Sequence, residues 1–409
     1  MKTKGIQACG FGCSFSYNKL IRKAVGVCYN KLPCKAVSVC YNKLPCKAGS
    51  VCYNKVTCGA YWHLASRKER KDMHMADALV APAVAGTMYA CSGAAMGYSM
   101  KKVRLENAPE KIPVMGVMGA FVFAAQMINF TIPGTGSSGH LCGGMLLSAV
   151  LGPEAGFLSM IGVLLVQCLL FADGGLLALG CNVWNMAFYG CFVGALVIWK
   201  HVMKNGMSRK KIIAASILGC MFTLQMGAFS VTLETLASGI TELPFGVFVS
   251  VMQPIHLAIG LVEGLITAAV LVFIYEARPE LLWGYNASGL ENAPVGRMSY
   301  KRTIAVLAIA AAVTGGLVSL AASSHPDGLE WSMEQVAGTA ELEAEGNAHT
   351  AAGQIQEATA ILPDYAWKSS ESVTGTSFSG IFGGAVVIFL SVGVCYMLRL
   401  FKGRPVKHE

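Results

Sequence analysis

Long apolar runs separated by short polar stretches fill the chain from about residue 76 to its end. Eight of them have the length and composition of membrane-spanning helices, for which about 20 residues suffice. A further run, residues 141–151, is too short for a straight crossing and predicts a short tilted or re-entrant helix. The pattern therefore predicts an all-α, polytopic transmembrane helical bundle of eight to nine helices. The longer runs are residues 76–100, 113–129, 155–171, 186–199, 212–231, 246–275, 303–322 and 380–400.

Basic residues cluster at four places between these runs and predict the direction of threading. If the chain crosses nine times, all four clusters fall on one face, which the positive-inside rule makes cytoplasmic. The C-terminus then lies in the cytoplasm. The opposite face receives the residues just before the first helix, the loops 129–140 and 172–185, and residues 323–379. The basic clusters are residues 101–104, 200–211, 297–302 and 399–407.

Composition supports a bilayer as the main solvent. Hydrophobic residues make up 54% of the 409 positions and charged residues 13%, whereas soluble domains are about 25% charged. The net charge of +9 is confined to one end, because residues 1–72 hold 14 of the 32 basic residues but only Glu69 and Asp72 of the 23 acidic ones. The remainder is slightly acidic, so no nucleic-acid partner is indicated.

Residues 23–58 consist of three nearly identical 12-residue units with a cysteine every six residues. A thiol-rich metal tract is one interpretation, but zinc sites favour two to four residues between paired cysteines. Identity at the other positions is typical of recently duplicated DNA. The segment also lacks the apolar core of a secretory signal. We therefore interpret residues 1–72 as a low-complexity extension outside the functional protein, with Met73 as the true first residue.

Histidines supply the candidate metal chemistry. His140 follows the irregular sequence PGTGSSG, and the predicted threading places it on the same face as Met73 and His74. If Met73 is N-terminal, its amine, the His74 amide nitrogen and the His74 imidazole can bind one metal through five- and six-membered chelate rings. His140 adds a fourth nitrogen. Such a square-planar site suits Ni(II) or Cu(II), and imidazoles also suit cobalt. Alone, His140 is typical of a loop or helix-capping histidine.

Four separated motifs carry a family resemblance: MHMADALVAPAV, INFTIPGTGSSGHLCGG, LVQCLLFADGGLLALGCNVWNMAF and MQPIHLAIGLVEG. From Met73 to about Trp283 the chain resembles the substrate-capturing subunit of cobalt/nickel energy-coupling-factor ABC transporters, the CbiM/NikM family. The resemblance implies import of divalent nickel or cobalt, held near the extracytoplasmic surface by the Met73 amine, His74 and His140, and it disfavours copper. As the chain is written, a peptide bond to Asp72 removes the amine donor.

A second resemblance lies between the last two apolar runs. Residues 326–330 read PDGLE and resemble a segment of the small accessory subunit of these transporters, here fused to the main subunit. The predicted organisation is a metal-capturing domain (73–283), a cytoplasmic linker (284–302) and a PDGLE-type region (303–409), whose two membrane helices flank an acidic extracytoplasmic segment. Such an acidic run is usually a solvated loop, although it could raise the local cation concentration.

Other polar residues are secondary candidates. Asp173, Asn182 and Asn185 fall on the predicted metal-facing side, where they could orient the ligands from a second layer or simply cap helices. His256 and Glu263 are seven residues apart and share one helical face, a spacing that favours structural polar contacts over metal ligation.

Motifs of ATP hydrolysis, zinc proteolysis and serine hydrolysis are absent from the sequence. The resemblance implies separate partners, a coupling transmembrane subunit and two ATPase subunits, in the inner cell membrane of a prokaryote. No cofactor is predicted, because nickel or cobalt is the transported ligand. One alternative is a membrane-embedded metalloenzyme that uses the same histidines and an acid such as Asp173, although four nitrogens in a plane leave little of the open coordination position that catalysis needs. Another is a degraded or mis-started product without a metal site.

Overall fold

The computed structural model describes residues 40–45, 51–56, 74–103, 111–241, 243–285, 297–340, 342, 346–368, 372 and 374–402. The chain divides into two units, Met1–Glu69 and Arg70–Glu409. In the first unit, β1 (Cys40–Pro45) and β2 (Val51–Val56) pair antiparallel with Asn42 opposite Asn54. The repeat predicted no fold, yet these strands come from successive copies of its unit. Both carry the Cys-Tyr-Asn-Lys stretch, whose aromatic and apolar neighbours favour strands.

The second unit is a bundle of helices with one small hairpin. The two strands of the hairpin, β3 and β4, pair antiparallel between the second and third helices. The elements, in chain order, are α1 (Pro82–Lys102), α2 (Lys111–Gln126), β3 (Phe130–Ile132), β4 (Ser137–Gly139), α3 (Gly144–Leu151), α4 (Pro153–Phe171), α5 (Leu179–Met203), α6 (Arg209–Ser238), α7 (Phe245–Ala277), α8 (Tyr300–Gly316), α9 (Gly328–Ala337), α10 (Asn347–Thr359) and α11 (Thr374–Lys402).

Six helices of the described part are long and apolar enough to cross a membrane, namely α4 to α8, where α8 continues through a 3-10 turn to Ala321, and α11. Large apolar side chains on the outer faces of these helices are exposed, among them Leu218, Phe222 and Phe389. Exposed apolar surface on this scale is typical of a protein that faces lipid. The all-α membrane bundle predicted from the sequence is thus confirmed, and the count of eight to nine crossings stays a prediction.

The short apolar run forms α3, which has eight residues, all of them buried. At 1.5 Å per residue it is about 12 Å long, far less than the roughly 30 Å of a hydrocarbon core. Gly152 (φ 88°) interrupts the helical conformation before Pro153 begins α4. The helix α3 lies inside the bundle and packs mainly against α4 and α5.

The close approach of α3 and α5 gives a first prediction. A Cβ at Gly190 would lie 2.7 Å from the Gly144 Cα. Gly190→Ala should therefore force the helices apart and lower the free energy of unfolding by about 1–3 kcal/mol, the usual cost of overpacking. Gly162→Ala is the matched control, because a Cβ there meets nothing within 4 Å. Unfolding in detergent measures both variants, and equal stabilities would contradict the packing described.

The acidic segment between α8 and α11 is folded into two short helices, α9 and α10, where the charge pattern favoured a solvated loop. Asp327 begins α9 with a capping box, in which its carboxylate and that of Glu330 each accept a main-chain N–H. The α10 helix is fastened by Gln356, whose Nε2 donates to the Gly174 carbonyl (2.7 Å) and to the Cys168 carbonyl (3.1 Å). Tertiary contacts with the loop after α4 thus order a segment that is polar by composition.

Candidate metal centre

The residues that precede α1 are held against the loop between α4 and α5. The Met75 N–H donates to Asn182 Oδ1 (3.0 Å), and Asn182 Nδ2 donates back to the Met75 carbonyl (3.1 Å). Gly175 N–H donates to the same carbonyl (3.0 Å). Gly174 has φ 76°, and a Cβ there would lie 2.8 Å from the His74 Cβ. These contacts fix His74, which is 4% exposed, in a buried position.

A chain of hydrogen bonds supports the His74 ring. Its Nδ1 lies 2.8 Å from Asp173 Oδ1, and the Tyr365 hydroxyl donates to Asp173 Oδ2 at 2.5 Å. Burial raises the pKa of the Asp173 carboxyl, but the opposing influence of His74, Tyr365 and His140 is larger, so this pKa lies below its ordinary value. Burial and the Asp173 charge raise the pKa of Tyr365. Tyr365 is therefore a hydrogen-bond donor to an ionised carboxylate.

His140 follows β4, and its ring lies beside that of His74. The two ring centroids are 5.2 Å apart, with 56° between the ring planes. His140 Nδ1 lies 3.2 Å from the Leu141 carbonyl oxygen, and 14% of the side chain is exposed. Two histidines that are 66 positions apart in the sequence thus meet at one place, although α1, α2 and the β3–β4 hairpin separate them along the chain.

Both histidine rings turn the same nitrogen toward the cavity. A carboxylate and a carbonyl only accept hydrogen bonds, so Nδ1 of each histidine carries the proton and Nε2 of the neutral ring holds a lone pair. Among the residues that the structure describes, the buried His74 Nε2 has no hydrogen-bond partner. His140 Nε2 lies 3.9 Å from Asp327 Oδ2. Neutral imidazole nitrogen is a donor that binds nickel, cobalt, copper and zinc.

A cavity extends from these two rings to a third histidine, His256 on α7. His256 Nδ1 lies 2.8 Å from the Met252 carbonyl oxygen, so its Nε2 is again the atom with the lone pair. Glu263 is directed elsewhere and accepts the Gly143 N–H (2.8 Å). The cavity is lined by His74, Met75, Gly139, His140, Cys142, Asn182, Asn185, Met186, Leu224, Gly227, Ala228, Val231, Met252, His256, Ile259, Asp327, Gly328 and Leu329.

The three residues predicted to orient the ligands behave differently from one another. Asp173 and Asn182 bond to the His74 segment as described above. Asn185 lines the cavity, but its Nδ2 donates to Glu234 Oε2 on α6 (2.8 Å). Its Oδ1 is buried without a hydrogen-bond partner in the described residues. Asp173 therefore bonds to His74 itself, Asn182 bonds to the main chain of the next residue, and Asn185 links the cavity wall to a neighbouring helix.

Side chains alone do not complete a metal site here. Within the part of the chain that the structure describes, no group of three or more His, Cys, Asp and Glu side chains has metal-binding spacing. The first predicted ligand, Met73, lies outside the described residues. A four-nitrogen centre at His74 and His140 would accordingly need main-chain donors, as in the predicted amine and amide chelate.

Two residues at this centre, Tyr365 and Asp327, were missed as site residues. Both belong to the segment between α8 and α11, which packs over the cavity. The positive-inside threading had put residues 323–379 on the same face as His74, and that was the available signal. Nothing in the pattern of charges distinguishes these two residues from the exposed acids and aromatics around them.

The long apolar helices define a multi-pass membrane protein, and a cavity within it is lined by three histidines. Residues 74–281 match the family model of CbiM, described as the cobalt uptake substrate-specific transmembrane region, and residues 301–400 match the PDGLE domain. The chain belongs to the CbiM family, with a PDGLE domain fused at its C-terminal end. The family resemblance predicted from the sequence motifs is confirmed.

The chain is also similar to individual known proteins. The chain is 35% identical over 334 residues, which are 80% of it and 99% of the relative, to a protein of Archaeoglobus fulgidus named as the fused nickel transport protein NikMN. It is 30% identical to the fused nickel transport protein NikMN of Rhodobacter capsulatus, over 51% of this chain and 64% of that one. The crystal structure of a truncated transition metal transporter matches 50% of this chain and 98% of its own, with 29% identity and a TM-score of 0.44.

The names of these relatives describe transport and not catalysis. The chain is therefore a membrane transport protein of the CbiM family, the class that the sequence motifs led us to expect.

Proposed function

We propose that the chain is the metal-capturing subunit of an energy-coupling-factor ABC transporter that imports divalent nickel or cobalt. The observation that carries the proposal is the buried His74, directly after Met73, with its ring 5.2 Å from that of His140 in one cavity. The metal is held by the Met73 amine, the amide nitrogen and imidazole of His74, and the imidazole of His140. Ligand type permits both nickel and cobalt.

The chelate requires a rearrangement at His74. A six-membered ring through the amide nitrogen closes on Nδ1, yet Nδ1 lies 2.8 Å from Asp173 Oδ1 in this structure. The imidazole must therefore turn about its Cβ–Cγ bond when the metal arrives. Because the pKa of Asp173 is lowered, its carboxylate keeps a negative charge beside the site before and after the ring turns. That charge favours a divalent cation over a neutral ligand.

The Tyr365 hydroxyl gives a prediction at this site. Tyr365→Phe should weaken nickel binding about fivefold, because loss of one hydrogen bond to Asp173 is worth about 1 kcal/mol net. The ring is kept, so its stacking on Phe171 (centroids 4.8 Å apart) is preserved. Tyr396→Phe, at an exposed position of α11, is the control. Titration of the purified protein with NiCl₂ measures both variants. An unchanged nickel affinity in Tyr365→Phe would argue against a contribution of the Tyr365–Asp173 hydrogen bond to metal binding.

The membrane orientation forms part of the proposal. Two of the four basic clusters meet in the structure, since Glu276 pairs with Arg209 (2.7 Å) and with Arg297 (3.7 Å). This supports placing both clusters at one cytoplasmic face. We place the protein in the inner membrane of a prokaryote, with Met73 and residues 323–379 outside the cell and the C-terminus in the cytoplasm. We divide the chain into the regions 73–283, 284–302 and 303–409. The two family matches, over residues 74–281 and 301–400, support this division.

Partner subunits supply the energy in this scheme. The sequence has no phosphate-binding loop, so we expect a coupling transmembrane subunit and two ATPase subunits. Uptake of radioactive Ni²⁺ or Co²⁺ by cells that express the chain with and without these ATPases tests the scheme. Uptake against a gradient should be lost without them, and uptake that persists at the same rate would sink the proposal.

A further inference from the structure

The segment 323–330 of the PDGLE domain is fastened to the hairpin that carries His140. The Ser138 N–H donates to the Pro326 carbonyl (2.8 Å), and the Ser138 hydroxyl donates to the His325 carbonyl (2.8 Å). One residue before the hairpin, the Asn129 carbonyl accepts the Ser323 N–H (2.7 Å). Hydrogen bonds to its main chain therefore hold the segment beside the cavity, independently of any metal.

Gly328, within this segment, packs closely against α7. A Cβ at Gly328 would lie 2.7 Å from the Ile259 Cδ1 and 3.0 Å from the His256 Cε1. A larger residue would thus have to displace the wall of the cavity. This contact brings the start of α9 into the lining of the same cavity that holds His74 and His140.

The Asp327 carboxylate is fixed at the edge of the cavity. Its Oδ1 accepts the N–H groups of Leu329 (2.9 Å) and Glu330 (2.8 Å), and its Oδ2 lies 3.9 Å from His140 Nε2. The residue is 3% exposed. A buried carboxylate is stabilised by positive charge nearby. The start of α9 lies on one side of the Asp327 carboxylate, and its second oxygen lies nearest to the proposed metal ligand His140.

The proposed centre carries a positive charge. A divalent ion bound by an amine, two neutral imidazoles and one deprotonated amide carries a net charge of +1. Asp173 lies beside His74, and Asp327 lies beside His140. At short range and low exposure such a charge is weakly screened.

We propose that Asp327 is the counter-charge for the captured divalent cation, so that the PDGLE domain completes the metal site of the CbiM region. This inference rests on the proposed function of His74 and His140. It assigns the fused domain a direct part in metal retention.

The variant Asp327→Asn tests this in the protein purified from membranes. Asparagine caps helices about as well as aspartate, so the charge is removed and the start of α9 is kept. Titration with NiCl₂ should show affinity about 10- to 100-fold weaker, the range found for groups that support metal ligands. Without metal, the melting temperature should equal that of the original protein, and the rise on adding nickel should be smaller.

Glu334→Gln is the matched control, because Glu334 is an exposed acid on the same helix and loses the same charge. Asp327→Ser, which also keeps a capping oxygen, guards against an effect peculiar to asparagine. Nickel affinity equal to that of the original protein in both Asp327 variants overturns the inference, as does an equal loss in Glu334→Gln.

His74→Ala in the same assay distinguishes a failure of the proposed metal centre from a failure of the proposed role of Asp327. If His74→Ala abolishes nickel binding while both Asp327 variants bind normally, only the inference about the PDGLE domain fails. If His74→Ala binds nickel like the original protein, the proposed metal centre itself is wrong.

Discussion

Replacing His74 with alanine is expected to reduce Ni²⁺ or Co²⁺ uptake by at least about 100-fold. The substitution removes one ring of the chelate and leaves only the amine, the amide and His140. Radioactive metal uptake in cells that hold the complete transporter is the measurement. His140→Ala should have a similar effect. Because the His140 side chain is partly exposed, its removal should disturb the fold less than removal of His74.

The control for both substitutions is His201→Ala, an exposed histidine at the end of α5, away from the cavity lining. Protein abundance in the membrane and melting temperature must be compared as well, because loss of His74 leaves the Asp173 carboxylate without its main partner. A His74→Ala protein that is stable and transports normally contradicts the proposed centre.

Blocking the amine of Met73 should have an equally large effect. We expect a chain that begins at Met73 to bind nickel, and the same chain with an uncleavable Gly-Ser peptide joined to Met73 to lose at least about 100-fold in affinity. The physical reason is that acylation removes the primary amine that anchors the chelate. The Met73 nitrogen becomes a second peptide nitrogen, which binds a metal only after it loses its proton. Titration with NiCl₂ measures both chains.

The same Gly-Ser peptide joined after Glu409 serves as the control for this experiment. N-terminal sequencing of protein extracted from membranes then shows whether Met73 is the first residue in cells. Recovery of an intact Met1 together with full nickel binding would exclude the amine chelate, because Met73 would carry no free amine.

The helix count illustrates one limit of sequence patterns. Runs of apolar residues predicted where helices lie, but not which of them are long enough to span. α2 has 16 residues and α3 has eight, and α1 is diluted by glycine, serine and terminal lysines. Only six described helices therefore meet the criterion of length and hydropathy. Apolar composition alone does not distinguish a membrane-crossing helix from a short helix buried in the bundle, because both are apolar.

The candidate site shows a similar division. His74 and His140 were predicted from motif and threading, and the structure places their rings side by side. Tyr365 and Asp327 could not have been found in this way, since each reaches the site through contacts more than 180 positions apart in sequence. Their roles depend on one carboxylate and one hydroxyl, and polar residues of that kind are common in any exported loop.

Hydrophobic periodicity and local motifs predicted the solvent, the class of fold and the family, and they singled out His74 and His140 as candidate ligands, because such signals can be read over short windows. Only the folded bundle shows which groups surround those histidines. The tertiary structure turned His74 toward Asp173, buried α3 within the bundle, and folded the acidic segment into a cap whose Asp327 faces His140. Such contacts arise from the packing of distant segments, and the free energy of burial selects them only when the whole bundle has formed.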